Sequence, residues 1–157
     1  MKTLIASSVL VLSGSVFAQA APPTPSTPTT AATPVGLWKT IDDKTKTERA
    51  LVRVSDNGGV LSARLEKLLG ADAKADAVCD QCTDDRKDKP VVGLEIMRGV
   101  RKGAADNTWD GGTILDAADG KVYKVRLQPA DGGKKLEVRG YIGMPMLGRT
   151  QTWMRVD

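Results

Sequence analysis

Residues 52–65 read VRVSDNGGVLSARL, and their pattern decides the fold class. Val52 and Val54 alternate with Arg53 and Ser55, and Leu61, Ala63 and Leu65 alternate with Ser62 and Arg64. Between the two runs stands Asp-Asn-Gly-Gly. An Asn-Gly flanked by alternating apolar residues is the strongest short-range signal for a β-hairpin, because the tight turns that match strand twist need positive φ. The two runs are therefore expected as antiparallel neighbours, each with one apolar face.

The same period of two continues in both directions. Upstream, Val35, Leu37 and Ile41 alternate with Gly36, Trp38 and Thr40. Downstream come VVGLEIM with Val92, Leu94 and Ile96 on one side, TWDGGTIL, VYKVRLQ, KLEVRGYIG and RTQTWMRVD, separated by DAADGK and PADGGK. Only the Ala-rich GADAKADA, 70–77, suits a helix. About eight short strands with turns every 8 to 12 residues indicate a sandwich or an up-and-down barrel. Short sequential turns favour the barrel, whose closure removes exposed edges. The expected fold is an all-β, about eight-stranded antiparallel up-and-down barrel. At that size side chains either fill the interior or leave room for one small ligand, and periodicity does not choose.

The remainder of the 157-residue chain divides in two. MKTLIASSVLVLSGSVFAQA, 1–20, has a basic start at Lys2, an apolar run from Leu4 to about Leu12 and small residues at its exit. This is the layout of a secretory signal peptide, too short to span a bilayer, with cleavage expected after Ala18 or Ala20. Residues 21–34 hold five of the eight prolines and no charge, the composition of an extended, disordered linker. Residues 35–157 then form one domain, and a periplasmic or secreted location follows. No second apolar stretch has transmembrane length.

Composition narrows the chemistry. The net charge beyond residue 20 is 22 − 19 = +3, with signs interleaved as in DDRKDK. No basic run marks nucleic acid or a membrane surface. Histidine is absent, which removes Ser-His-Asp and Cys-His nucleophilic systems. Asp106, Asp110, Asp116, Glu95 and Glu137 have no catalytic spacing, and the acids at DAADG and PADGG suit turns. Glycines in WDGGT and ADGGK stand between strands, not before a helix, so they are no phosphate cradle. No catalytic residue, cofactor or metal is assigned, and the expected activity is binding without catalysis.

Cys79 and Cys82, the only cysteines, lie in AVCDQCTDDRKD. Zinc commonly takes four ligands, and two thiolates without imidazole fall short unless Asp80, Asp84 or another copy joins. Acidic flanks oppose a reactive thiolate. In an exported chain the simplest reading is a structural disulfide, with redox exchange and metal binding as alternatives.

Three segments together, VGLWKT at 35–40, the Cys79–Cys82 pair and GYIGMPMLGRTQTWMR at 140–155, resemble the bacterial exported family known as domain of unknown function 2147. The resemblance implies a lipocalin-like barrel, with ligand binding as an analogy. Gly36-Leu37-Trp38 is similar to the lipocalin G-x-W of the first strand. That pattern implies a basic residue across the Trp38 ring at the closed end, Arg155 first and Arg149 second. Gly36, Trp38, Trp153, Arg149 and Arg155 are thus read as structural.

The ligand-binding candidates are Trp109, Tyr123, Tyr141, Met144, Met146 and Leu147. The last three make an apolar, adaptable loop that either lines an open mouth or packs down as a lid. The expected partner is a small, mostly apolar molecule; the alternative is a filled barrel that docks another envelope protein. The oligomeric state is not legible.

Overall fold

The computed structural model describes residues 32–157; the expected signal segment and most of the linker lie outside them. Eight strands follow in order: β1 Gly36–Ile41, β2 Glu48–Asn57, β3 Val60–Leu68, β4 Glu95–Lys102, β5 Trp109–Asp116, β6 Lys121–Ala130, β7 Lys135–Tyr141 and β8 Arg149–Arg155. Each pairs antiparallel with the next, and β1 pairs with β8, closing an up-and-down barrel. The β2–β3 connection is a two-residue turn with Gly58 and Gly59 both at positive φ (65° and 84°), so the glycine pair, one position beyond the Asn-Gly signal, makes the bend.

One end is packed solid. Trp38, Leu61, Met97, Val100, Leu127 and Leu136 are at most 2% exposed, and in the ladder Trp38 faces Val52, Leu61 faces Val100 and Leu127 faces Val138. The Trp38 indole Nε1 donates to the Pro34 carbonyl at 2.7 Å. The Arg155 guanidinium lies over the ring, 4.2 Å from its centroid, an attraction of about 0.5–2 kcal/mol. That guanidinium also donates to the carbonyls of Gly133 (2.6 Å), Val35 (3.0 Å) and Thr33 (2.6 Å). Gly36 is required twice over: its φ is +142°, and any Cβ would sit inside Arg155 Nη1. The fold therefore takes in Thr33 and Pro34, the last residues of the stretch read as linker.

Two local expectations change. Val92 is exposed and β4 begins only at Glu95, because Gly93 turns the chain at φ +86°. An extra residue in β4 between the Arg64–Glu95 and Ala63–Met97 pairs then breaks the simple alternation, so Ile96 and Met97 are both buried. Residues 70–77 form turns, not a helix. No helix among the described residues is long and apolar enough to cross a membrane.

Candidate ligand cavity and its rim

The opposite end is open. There the connections 42–47, 69–94, 117–120 and 142–148 meet, and a cavity of about 1120 Å³ enters the barrel between them. Its position follows from side-chain size. Inward positions near the closed end carry Trp, Met and Leu, whereas those near the open end carry Thr40, Ala50 and Gly140. A Cβ on Gly140 would meet only the Tyr123 and Ile114 side chains, at 3.5–4.0 Å. Val52, Val138 and Trp153 form the apolar depth of the cavity, Leu65, Ile96 and Ile114 its walls, and Thr40, Tyr123 and Gln151 add polar atoms.

At the lip stands Arg149, paired with Asp43 at 2.6 Å. Gln151 Oε1 is also the acceptor for Trp153 Nε1 at 3.4 Å. The mouth thus offers hydrogen-bonding groups and an ion pair above an apolar depth.

Across part of the mouth lies the 69–94 excursion. Its arms are tied by a Val78–Pro90 bridge, by Cys79 N–H to Lys89 O (2.9 Å) and by Val91 N–H to Ala77 O (2.8 Å). Cys79 and Cys82 form a disulfide, and both are buried, 0% and 2% exposed, which denies an outside thiol a line of attack. The tip docks on the β5–β6 turn: Cys79 Sγ is 3.8 Å from the Ala117 carbonyl, and at Gly120, φ +72°, a Cβ would collide with the Gln81 carbonyl.

The buried Arg86 guanidinium braces the excursion from within, donating to Asp84 and to the Glu95 carbonyl (3.1 Å). Those hydrogen bonds from Arg86, chiefly from its side chain, lower the Asp84 carboxyl from 3.8 to about 2. Arg98 forks onto Asp85 (2.8 and 2.9 Å) and holds Asp85 below its ordinary range.

The candidates from the sequence separate into three places. Tyr123 and Trp153 line the cavity and Arg149 its lip. Met144, Met146 and Leu147 stand exposed on the β7–β8 loop, around the 3-10 turn Pro145–Leu147, neither packed as a lid nor among the cavity walls. Tyr141 shares the outward register of Lys124, and Trp109 lies near the closed end with Lys102 Nζ 3.7 Å over its ring; neither lines the cavity. Glu95 is outside too, bound to Arg98 at 2.8 Å. The small residues that create the space, Ala50 and Gly140, escaped sequence reading because an inward small residue has no signature without the register.

The chain matches the family described as "Uncharacterized protein conserved in bacteria (DUF2147)" over residues 36–155. Among solved structures it is similar to a chain described as "Protein HP1028 from the human pathogen Helicobacter pylori belongs to the lipocalin family". The two share 21% identity and superpose with a TM-score of 0.67, over 78% of this chain and 82% of that one. At that identity the likeness concerns the fold. A search of curated proteins finds no match. The disulfide and the bacterial family are consistent with an exported protein. With the matched region running from the start of β1 to the end of β8, this chain belongs to the DUF2147 family and has a lipocalin-like barrel.

Proposed function

We propose that this protein is an exported carrier that holds a small, mostly apolar molecule in the open half of its barrel and does no chemistry on it. The cavity of about 1120 Å³ carries this reading. Ligand pockets typically enclose about 300–1000 Å³ and combine apolar walls with a few polar groups. Here the depth is Val52, Val138 and Trp153, and the polar groups gather at Thr40, Tyr123, Gln151 and Arg149. A ligand with an apolar body and one polar end would seat its body on Trp153 and its polar end at the mouth. Burying the body is favourable by about 25 cal/mol per Å².

Native mass spectrometry of the purified protein, followed by organic extraction, tests the reading. An apolar adduct is expected on the wild type and absent from Gly140→Leu, whose side chain enters the cavity beside Tyr123. Wild-type protein that carries no adduct, and that takes up none from an apolar mixture, would refute it.

A further inference from the structure

Four of the exposed large apolar side chains fall within six residues of the β7–β8 loop: Ile142, Met144, Met146 and Leu147, at 69, 56, 75 and 76% exposure. A lone exposed apolar residue is ordinary, but a cluster of this kind marks an interaction site. The loop is also built to hold them out. Arg139 reaches beneath it and donates to the Pro145 carbonyl (2.6 Å), the Met146 carbonyl (3.1 Å) and Thr150 Oγ1 (2.7 Å). Leu147 N–H to Met144 O and Gly148 N–H to Pro145 O, both 3.1 Å, close the 3-10 turn. Gly148 lets it approach β7, since a Cβ there would stand 2.7 Å from that of Tyr141.

What surrounds the loop identifies its counterpart. Cross-strand register sets Lys124 beside Tyr141 and Arg126 beside Arg139 on the outer face. Lys124 has no ion-pair partner among the described residues. Arg126 is ion-paired with Asp110 at 3.7 Å, with its side chain still about two-fifths exposed. The carboxylate of Glu137 comes one outward rung further from the loop. Strand pairing thus assembles a cationic collar that no stretch of the sequence displays. A convex apolar tip backed by Lys, Arg and Tyr is the layout of a peripheral membrane contact, in which apolar groups enter the headgroup boundary and cations meet anionic lipids.

We propose that the β7–β8 loop docks the open end of the barrel on an anionic phospholipid surface, with Met146 and Leu147 inserted and Lys124, Arg126 and Tyr141 at headgroup level. Docking is independent of the carrier reading. If both hold, the mouth receives its ligand directly from the bilayer.

Vesicle sedimentation of the full chain tests the proposal, with phosphatidylglycerol at about 30% in phosphatidylcholine against phosphatidylcholine alone. The wild type is expected to partition onto the anionic vesicles, and M146D/L147D at least about tenfold more weakly. Both substituted side chains are three-quarters exposed, so the melting temperature should stay put; Lys124→Glu gives a second variant outside the loop, also expected to bind more weakly. A local readout separates this loop from any contribution of residues 1–31: with Leu147→Trp, the introduced indole should shift to the blue on anionic vesicles and be quenched by brominated lipid. The proposal is overturned if the wild type stays in the supernatant, if M146D/L147D partitions within about twofold of wild type, or if the introduced indole is unquenched on sedimented protein. Loss of membrane binding with retention of an apolar adduct would refute docking alone, and the converse would refute the carrier reading alone.

Discussion

Replacing Arg155 by alanine should loosen the closed end of the barrel without touching the cavity. The side chain is about a quarter exposed and performs two tasks, covering the Trp38 ring at 4.2 Å and donating to three carbonyls, those of Gly133, Val35 and Thr33. A hydrogen bond from a charged group contributes about 1.5–3 kcal/mol when the partner would otherwise be stranded. After truncation, water can reach these carbonyls, so most of that cost is recovered and a net loss of about 1 kcal/mol remains for the set. The cation over the indole adds about 1 kcal/mol, and the exposed upper edge of Trp38 adds a further part of its burial.

The expected destabilisation of Arg155→Ala is about 2–4 kcal/mol. For a domain of this size that is a fall in Tm of about 8–15 °C. Arg155→Lys keeps a cation above the ring but cannot fork to three acceptors, so it should lose about half as much. Thermal unfolding by far-UV circular dichroism measures both, and urea titration gives the free energies. A loss below about 0.5 kcal/mol for Arg155→Ala, or equal losses for Ala and Lys, would refute the reasoning. Ligand uptake at 25 °C should be unchanged, because the cavity lies at the other end.

Gly140→Leu should abolish uptake of the amphiphilic dye 8-anilinonaphthalene-1-sulfonate while leaving the barrel folded, since a Cβ there meets Tyr123 and Ile114 at ordinary contact distance and the rest of the side chain extends into the cavity; a variant that binds the dye as wild type does would place the site elsewhere. The Cys79–Cys82 disulfide closes no large loop, so removing it in C79A/C82A should cost about 2 kcal/mol at most, visible as a lower Tm of a still-folded barrel; a globally unfolded variant would contradict this. Gly120→Ala should be as harmful as losing the disulfide or more so, because its methyl group meets the Gln81 carbonyl, and limited proteolysis should then cut within 69–94. Acid should weaken the excursion: Asp84 titrates at about 2 when folded against 3.8 ordinarily. Its contribution is complete above about pH 4 and disappears as the pH falls towards 2. In melts between pH 7 and 2, Asp84→Asn should therefore show a shallower decline than wild type.

The barrel itself was legible because alternation and turn chemistry act locally. Val52 to Leu65 announce a hairpin whatever the rest of the chain does, and each later run repeats the message. The pairing of Trp38 with Arg155 was also accessible, through the similarity of Gly36-Leu37-Trp38 to a known first strand. The cavity was not accessible in this way, since it depends on which small residues share a level. Ala50 and Thr40 lie opposite each other, and Gly140 opposite Val125, and the two pairs, from opposite ends of the domain's sequence, reach one end of the barrel only through its closure. Parity explains Tyr141: it follows Arg139 and Glu137 outward, while Leu136, Val138 and Gly140 face in. At Ile96 and around Asp110–Gly111 an extra residue interrupts the ladder, and counting by twos fails across such a bulge.

Docking of the Cys79–Cys82 tip on the Gly120 turn has a kinetic consequence. It ties the β3–β4 connection to the β5–β6 turn, so that side of the mouth is a fixed jamb. Any widening of the aperture falls to the facing connections, 42–47 and 142–148, joined across the lip by the exposed Arg149–Asp43 ion pair. Residence time, more than equilibrium affinity, would then be set by how often that single latch opens. Asp43→Ala, which opens the latch but leaves every cavity-lining residue in place, should speed ligand release, and with it capture, while the dissociation constant moves little.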